Sequence, residues 1–211
     1  MAILADRDRR AANAARRSIL DSVAGQLDGA TLTLDLSGFP KLNGTLHGDA
    51  VRVALIPDTM TIRRLPQLWL EVTLLCDLPL AGSSFAALVR PSGNDYYSLT
   101  ERFTSQLLPP RSFPAECLVK GESASSQTTL DCVAECASRL FSDPKVKEFA
   151  ATQNGLRIIR QLAEGKRGEH LLLRQSVFVD ARAEPRDLDH MTTALQDLKT
   201  LLASPAKASA A

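Results

Sequence analysis

The sequence has few of the residues from which disulfide frameworks, metal sites and aromatic binding surfaces are built. Its 211 residues include four cysteines, three histidines, one tryptophan and two tyrosines. Small secreted proteins that depend on disulfides have a much higher cysteine density, so reduced thiols are expected here. We therefore expect a protein of the cytoplasm.

A surplus of one charge and a long apolar run are also lacking. The 25 basic and 24 acidic residues leave a formal net charge of +1, whereas a protein that binds nucleic acid through its overall field is strongly basic. The longest apolar stretch, LPQLWLEVTLLCDLPL, is interrupted by Glu71 and Asp77, well short of the about 20 residues that span a bilayer. We expect a soluble protein with no nucleic-acid or membrane partner.

Recognisable catalytic motifs are missing as well. The sequence contains no G-x-S-x-G, P-loop, G-x-G-x-x-G or H-E-x-x-H pattern, so nucleophilic, nucleotide-dependent and zinc-hydrolase functions lack an anchor. Asp187 and His190 have the spacing of half a carboxylate-bridged metal site, but the second half is missing. We predict no catalytic residue, no metal and no cofactor, and we favour a non-enzymatic role, although a missing motif does not exclude an enzyme.

The hydrophobic residues, 45% of the chain, suffice for a sizeable core, and their spacing predicts an α+β fold. In the first half, a helix over residues 5–28 precedes segments whose apolar residues alternate, as in strands with one buried face. We predict an antiparallel β-meander packed by this N-terminal helix. The alternating sets are Leu32, Leu34 and Leu36; Val51, Val53 and Leu55; and Leu68, Leu70, Val72, Leu74 and Cys76.

The second half is predicted to contain two helices, a hairpin and a final helix after a first strand, AECLVKG. The first helix carries the cysteines of TTLDCVAECASRLF, and a second begins at Ser142 or Asp143 and ends at Gly155, because capping residues and Pro144 mark its start. Alternation after Gly155 predicts a hairpin over residues 156–179. The last helix starts near Pro185.

The proline-rich stretch LLPPRSFP predicts a boundary between two parts. We expect residues 1–108 to hold the N-terminal helix and sheet, 109–114 to connect, 115–204 to form the second α+β half, and 205–211 to be a mobile tail. The order of elements is similar to that of small bacterial secretion chaperones, dimeric modules that hold an unfolded partner segment. That similarity implies a chaperone-like role.

Cys132 and Cys136 lie four residues apart in the predicted cysteine helix. A helical wheel places Cys136 at the edge of the apolar stripe and Cys132 on the polar side, near Arg139. A structural zinc site needs a second pair of ligands, which the sequence does not offer. Thiol or metal chemistry stays open as an alternative, and Cys132 is the candidate reactive thiol.

The predicted hairpin would place several basic residues on its outer face and in its turn. Converging guanidinium groups can hold a carboxylate or a phosphate, whereas an antiparallel sheet also shows a polar face to water without any ligand. A small-anion-binding or enzymatic domain is therefore a second function hypothesis. Its candidate residues are Arg157, Lys166, Arg167, His170 and Arg174.

Two apolar features point to a protein partner or to self-association. Alternation places Trp69 on the face of its strand opposite the leucines, and aromatic residues of this kind are enriched at contact surfaces. The final helix repeats apolar residues at spacings of three and four. Our leading hypothesis is a non-enzymatic protein-interaction module, with homodimerisation as one form of it. The helix residues are Leu188, Met191, Leu195, Leu198 and Leu202.

Overall fold

Nine strands form an antiparallel sheet in a computed structural model of the chain, which describes residues 13–58, 65–165, 178 and 181–203. The helices are α1 (Asp21–Ala24), the 3₁₀ helix η1 (Leu99–Arg102), α2 (Ser126–Phe141) and α3 (Pro185–Ala203). The strands are β1 (Asp28–Leu34), β2 (Pro40–Leu46), β3 (Asp49–Asp58), β4 (Gln67–Leu75), β5 (Phe85–Val89), β6 (Ser105–Gln106), β7 (Cys117–Gly121), β8 (Val146–Thr152) and β9 (Gly155–Glu164).

The strands follow the order β1-β2-β3-β4-β9-β8-β5-β7-β6. The expected α+β class is thus confirmed. The chain divides into two compact units, one of Met1–Val72 with Arg160–Asp189 and the other of Thr73–Ile159 with His190–Ala211. The division at the proline-rich segment 109–114 stays a prediction, and the predicted tail 205–211 lies outside the described residues. Within the described ranges, no helix is both long and apolar enough for a membrane crossing.

In the first unit, β2 and β3 form a hairpin with the tightest loop that such a pair allows. Leu46 pairs with Asp49, so the loop consists of His47 and Gly48, whose φ angles are 52° and 85°. Positive φ at both central positions is typical of a type I′ turn, whose twist matches that of the flanking strands. His47 therefore belongs to a turn.

The helix predicted over residues 5–28 is too long at its end. Residues 13–17 and α1 are helical, but β1 begins at Asp28; residues 5–12 lie outside the described part. Gly29, which directly follows the predicted end of the helix, has a φ of 61° at an irregularity of β1 between Asp28 and Thr31. A left-handed glycine fits a β-bulge as well as a helix terminus, so the residue type alone did not separate the two.

In the second unit, β5 and β8 are buried on both faces. Helix α2 begins over the sheet at Gly121, where an added Cβ would lie only 2.4 Å from the Cβ of Ser126. Gly121 is the last residue of β7 and pairs with Phe85 of β5, so this helix starts over β7, beside β5. The predicted cysteine helix is confirmed, with its apolar stripe buried: Leu130, Val133, Ala137, Leu140 and Phe141.

The helix predicted between Ser142 and Gly155 is wrong, because Val146–Thr152 is strand β8. The capping residues instead serve the end of α2 and the turn after it. The Ser142 hydroxyl donates to the Arg139 carbonyl at 2.6 Å, and the Asp143 carboxylate accepts from the Lys145 amide at 2.8 Å. A strand buried on both faces lacks the alternation that would identify it.

The strand predicted from Leu156 is confirmed as β9, whereas its predicted hairpin partner over residues 171–179 lies outside the described residues except for Phe178. The hydrogen-bonded neighbours of β9 are β4 and β8, and β8 reaches β9 through the short turn at Gln153 and Asn154. Residues 166–177, which include the predicted turn, lie outside the described residues. In the described part of the second half the order is therefore strand, helix, hairpin and helix. The helix predicted between Ser142 and Gly155, on which the similarity to secretion chaperones depended, is replaced by β8.

Gly155 should be among the residues least tolerant of substitution. Its φ is 141°, and an added Cβ would lie 2.1 Å from the Leu74 carbonyl oxygen. We expect Gly155→Ala to lower the free energy of unfolding by about 3 kcal/mol or more, since a strained backbone and a steric clash add. Urea unfolding followed by circular dichroism measures the change.

Gly25→Ala is the matched control. Gly25 has a φ of −73° and nothing within 4 Å of an added Cβ, so the same substitution should be neutral or slightly stabilising. Equal effects of the two substitutions would contradict the geometry described for Gly155.

Candidate interaction surface

The outer edge of β1 is the candidate site, because this strand stands first in the sheet order and all seven of its residues are exposed. Leu32 is 41% exposed, Leu34 43%, and Leu36 just beyond the strand is fully exposed. The sequence predicted that these three leucines form a buried face, and that prediction is wrong. Exposed large apolar residues in a row are typical of contact surfaces.

The register explains why these leucines are exposed although they share a face with core residues. Leu32 pairs with Leu42, and Leu42 pairs with Val53. Leu42 and Val53 are completely buried. The apolar face therefore continues from β3 through β2 to β1. It is buried on β3 and β2 but exposed to solvent on β1. Alternation identifies a face, but whether that face is covered depends on the neighbouring strands.

The backbone of β1 alternates between groups that face β2 and groups that face outwards. The Asp35 amide donates to the Phe39 carbonyl at 2.9 Å, which continues the register of Leu34 opposite Pro40 and Thr33 opposite Lys41. In an antiparallel ladder every second residue bonds to a given neighbour, so Thr33 faces β2 with Asp35. The amides and carbonyls of Leu32 and Leu34 face outwards, and Pro40, which has no amide hydrogen, fits its position opposite Leu34.

This edge has little of the protection that natural edge strands carry. Lysine, proline and inward-pointing charges normally discourage pairing with another chain, but residues 29–34, GATLTL, contain none of them. The irregularity between Asp28 and Thr31 disturbs only the start of the strand. Strand β6, at the other end of the sheet order, has two residues, so it offers a much shorter ladder. The surface formed by Thr31–Asp35 is called the β1 edge below.

Arg157, the first of the predicted anion-binding residues, lies in a buried ion pair instead of on an open basic face. Its guanidinium contacts the Glu148 carboxylate; the Arg157 side chain is 13% exposed and that of Glu148 is fully buried. The same guanidinium donates to the Tyr97 carbonyl at 3.1 Å, and the Leu99 amide donates to Glu148 at 3.2 Å. The pair therefore fixes the segment that leads into η1, and its charges neutralise each other.

A second buried ion pair holds the start of the same segment. The Lys147 ammonium lies 3.2 Å from the Asp95 carboxylate, with both side chains 5% exposed. Asp95 also accepts hydrogen bonds from the Ser92 amide at 2.6 Å and the Ser92 hydroxyl at 2.8 Å. Burial by itself raises the pKa of Asp95, but the bonds from Ser92 and the charge of Lys147 together outweigh it and lower that pKa below its usual 3.8. Asp95 is accordingly a charged anchor of the loop.

The remaining candidates for partner contact and anion binding are either buried or outside the described residues. Trp69 is buried, as is the whole apolar row of α3, so neither offers an open contact surface. Asp187 pairs with Arg160 at 3.0 Å, and within the described residues no cluster of potential metal ligands occurs. Lys166, Arg167, His170 and Arg174 lie outside the described residues. The buried helix residues are Leu188, Met191, Leu195, Leu198 and Leu202.

The four cysteines are free thiols in different surroundings. Cys132 is exposed and Cys136 is buried, while Cys76 and Cys117 are half-buried. Burial raises the pKa of Cys117 to about 12. Arg139, expected beside Cys132, lies 3.5 Å from Glu135, so exposure is what distinguishes Cys132 from the other thiols.

Comparison with known proteins adds a single weak similarity. No family model matches the chain, and no curated protein matches it. The chain is similar to the crystal structure of the mycobacterial trehalose monomycolate transport factor A, TtfA, with 10% sequence identity, a TM-score of 0.47, and coverage of 92% of this chain and 95% of that chain. Likeness at this level is too weak to support an inference about fold or function.

Removing one partner of the Arg157–Glu148 pair should be strongly destabilising. Arg157→Met leaves a buried carboxylate without its partner, which costs about 3 to 5 kcal/mol of unfolding free energy. Combining it with Glu148→Leu should restore much of the loss, because both charges are then absent. Urea unfolding measures both variants.

The control for this pair is Arg139→Met, which removes a pair whose side chains are 68% and 93% exposed and should change stability little. A small effect of Arg157→Met would contradict the buried ion pair and would favour an open anion site instead.

Cys132 should react first with a thiol reagent in the native protein, because it is the exposed thiol of the four. Ellman's reagent should give one fast phase, which Cys132→Ser removes and Cys136→Ser leaves in place. Equal rates for all four thiols would overturn this ranking.

Proposed function

We propose that the protein is a non-enzymatic protein-interaction module that binds an extended polypeptide segment along the β1 edge, and that it is chaperone-like only in holding such a segment. One observation carries the proposal: on a strand at the end of the sheet order, the backbone groups of Leu32 and Leu34 face away from β2, and their side chains are partly exposed on the apolar face of the sheet. A peptide added as a further strand gains affinity from the ladder and specificity from the alternating side chains.

The chemistry of the β1 edge defines the kind of segment that fits. The face that carries Leu32 and Leu34 is apolar and joins the core face, whereas Thr31 and Thr33 point to the other side of the strand. Between Thr31 and Leu34 the edge has no charge that would attract a charged ligand. The fitting partner is an uncharged segment in which apolar and small polar residues alternate.

The other hypotheses have less support. Anion binding would need guanidinium groups that are open to a ligand, but Arg157 is already paired with Glu148. Thiol chemistry would rest on a lone exposed cysteine. Free thiols agree with a reducing compartment such as the cytoplasm, and we place the protein there as part of the same proposal.

A designed peptide tests this function directly. The probe is about 1 µM of a fluorescent peptide of alternating threonine and valine with a lysine at each end, titrated with protein up to about 500 µM so that binding as weak as about 100 µM is still measured. We expect saturable binding by fluorescence anisotropy. The same peptide with alternate amides N-methylated cannot form a ladder and should not bind.

Leu34→Pro is the informative protein variant. It removes an outward amide hydrogen and an exposed leucine while leaving the bonds of Thr33 and Asp35 to β2, so affinity for the peptide should fall about tenfold or more. Leu75→Lys is the matched control, since Leu75 ends β4 with the same 43% exposure. Binding that persists in Leu34→Pro, or that the N-methylated peptide shares, would refute strand addition at this edge.

A further inference from the structure

We infer that the segment received by the β1 edge is the β1 edge of a second copy, so that two chains pair antiparallel about a two-fold axis and continue each other's sheet. This inference rests on the proposed function and names its partner. It starts from the outward backbone groups of Leu32 and Leu34, which are the groups that must form any such ladder.

The alternation of those groups restricts the register. Hydrogen-bonded pairs across the axis must join outward-facing residues, so Leu32 could lie opposite Leu36, Leu34 or Leu32 of the second copy. The first register needs Leu36, which lies in the turn beyond β1. Two registers then remain, Leu32 opposite Leu34 and Leu32 opposite Leu32. The latter register also needs Ala30 opposite Leu34. Ala30 lies within the irregular start of β1, between Asp28 and Thr31, so the register of Leu32 opposite Leu32 is disfavoured. The register of Leu32 opposite Leu34 uses only the regular residues Thr31–Asp35.

Side chains in this register are compatible with one another. Thr33 lies opposite its own copy on the axis, and each Leu32 lies opposite a Leu34 on the apolar face. The row Val53, Leu42 and Leu32 of one copy therefore continues into Leu34 of the other. Leucine side chains directly opposite each other stabilise an antiparallel pair, and burial of these four partly exposed leucines supplies the apolar contribution.

Charge does not oppose the pairing. The carboxylate of Asp35 accepts bonds from the Ser37 and Phe39 amides, both at 2.9 Å, and in this register Asp35 lies opposite Thr31, so no like charges meet. The formal net charge of +1 gives two copies little long-range repulsion.

The short ladder sets the expected strength. Five paired residues bury less than the about 800 Å² per partner of a standard interface, so the dimer should be dissociable, with half-association on the order of 100 µM. The fitting partner is an uncharged segment in which apolar and small polar residues alternate. Residues 31–34, TLTL, are such a segment, so a second copy is favoured over an unrelated partner.

Sedimentation equilibrium between about 5 and 500 µM protein tests the dimer. The wild-type mass should rise from 22.8 kDa towards twice that value. Leu32→Lys with Leu34→Lys, and separately Leu32→Glu with Leu34→Glu, should each remain monomeric, because like charges then lie opposite each other. An equimolar mixture of the two should regain association, because each lysine then lies opposite a glutamate.

Leu75→Lys is the control that should dimerise like the wild type. If circular dichroism shows that a charged variant has lost its fold, Leu32→Thr with Leu34→Thr replaces it, and about tenfold weaker association is expected. A wild type that stays at 22.8 kDa, a folded charged variant that dimerises like the wild type, or a mixture that stays monomeric would each overturn the inference.

The failures of the two proposals are distinguishable. A monomeric wild type that binds the test peptide at the β1 edge refutes the second copy and leaves the proposed function standing. A protein that dimerises as described but binds no test peptide keeps the dimer and refutes the broader module. A protein that does neither refutes both.

Discussion

Backbone hydrogen bonding is the constraint on which the arrangement of this chain depends. Each amide and carbonyl of a strand needs a partner in the protein or in water, and seven of the nine strands satisfy this need with a neighbour on each side. The two terminal strands solve the problem differently: β6 is two residues long, whereas β1 leaves a regular edge open. The position of β1 in the sheet, more than any side chain, is the reason why we propose it as the interaction surface.

The buried charges obey a related rule. Glu148, Asp95 and Lys147 are removed from water, and each is opposed by a partner charge. Each also has a hydrogen bond: Glu148 accepts from the Leu99 amide, Asp95 accepts from Ser92, and Lys147 donates to the Arg90 carbonyl. A buried charge without such compensation would be strongly destabilising. These side chains therefore hold a loop in place. Their charges are compensated by their partner charges within the second unit and are not open to a ligand.

The sequence predicted the fold class and the elements whose local pattern is unambiguous. The period of Leu130, Val133 and Ala137 identified α2, and the spacing from Leu188 onwards identified α3. Strand β8 was missed because both of its faces are buried, so its sequence has no alternation, and because capping residues at the end of α2 resemble those at the start of a new helix. Capping residues indicate that a helix terminus is near, but they do not show whether a helix begins or ends there.

The candidate site shows a different limit of sequence reasoning. Leu32 and Leu34 on β1 and the leucines of α3 follow equally good apolar patterns, yet the helix row is buried and the strand pair is exposed. Coverage depends on which strand ends the sheet, a long-range property that no window of residues contains. Similarly, the sequence pattern predicts Arg157 on an open basic face, whereas in the fold it is paired with Glu148. The candidate cations of the sequence are either enclosed, as Arg157 is, or lie outside the described residues. The proposed interaction therefore rests on the exposed backbone of β1, which has no residue signature of its own.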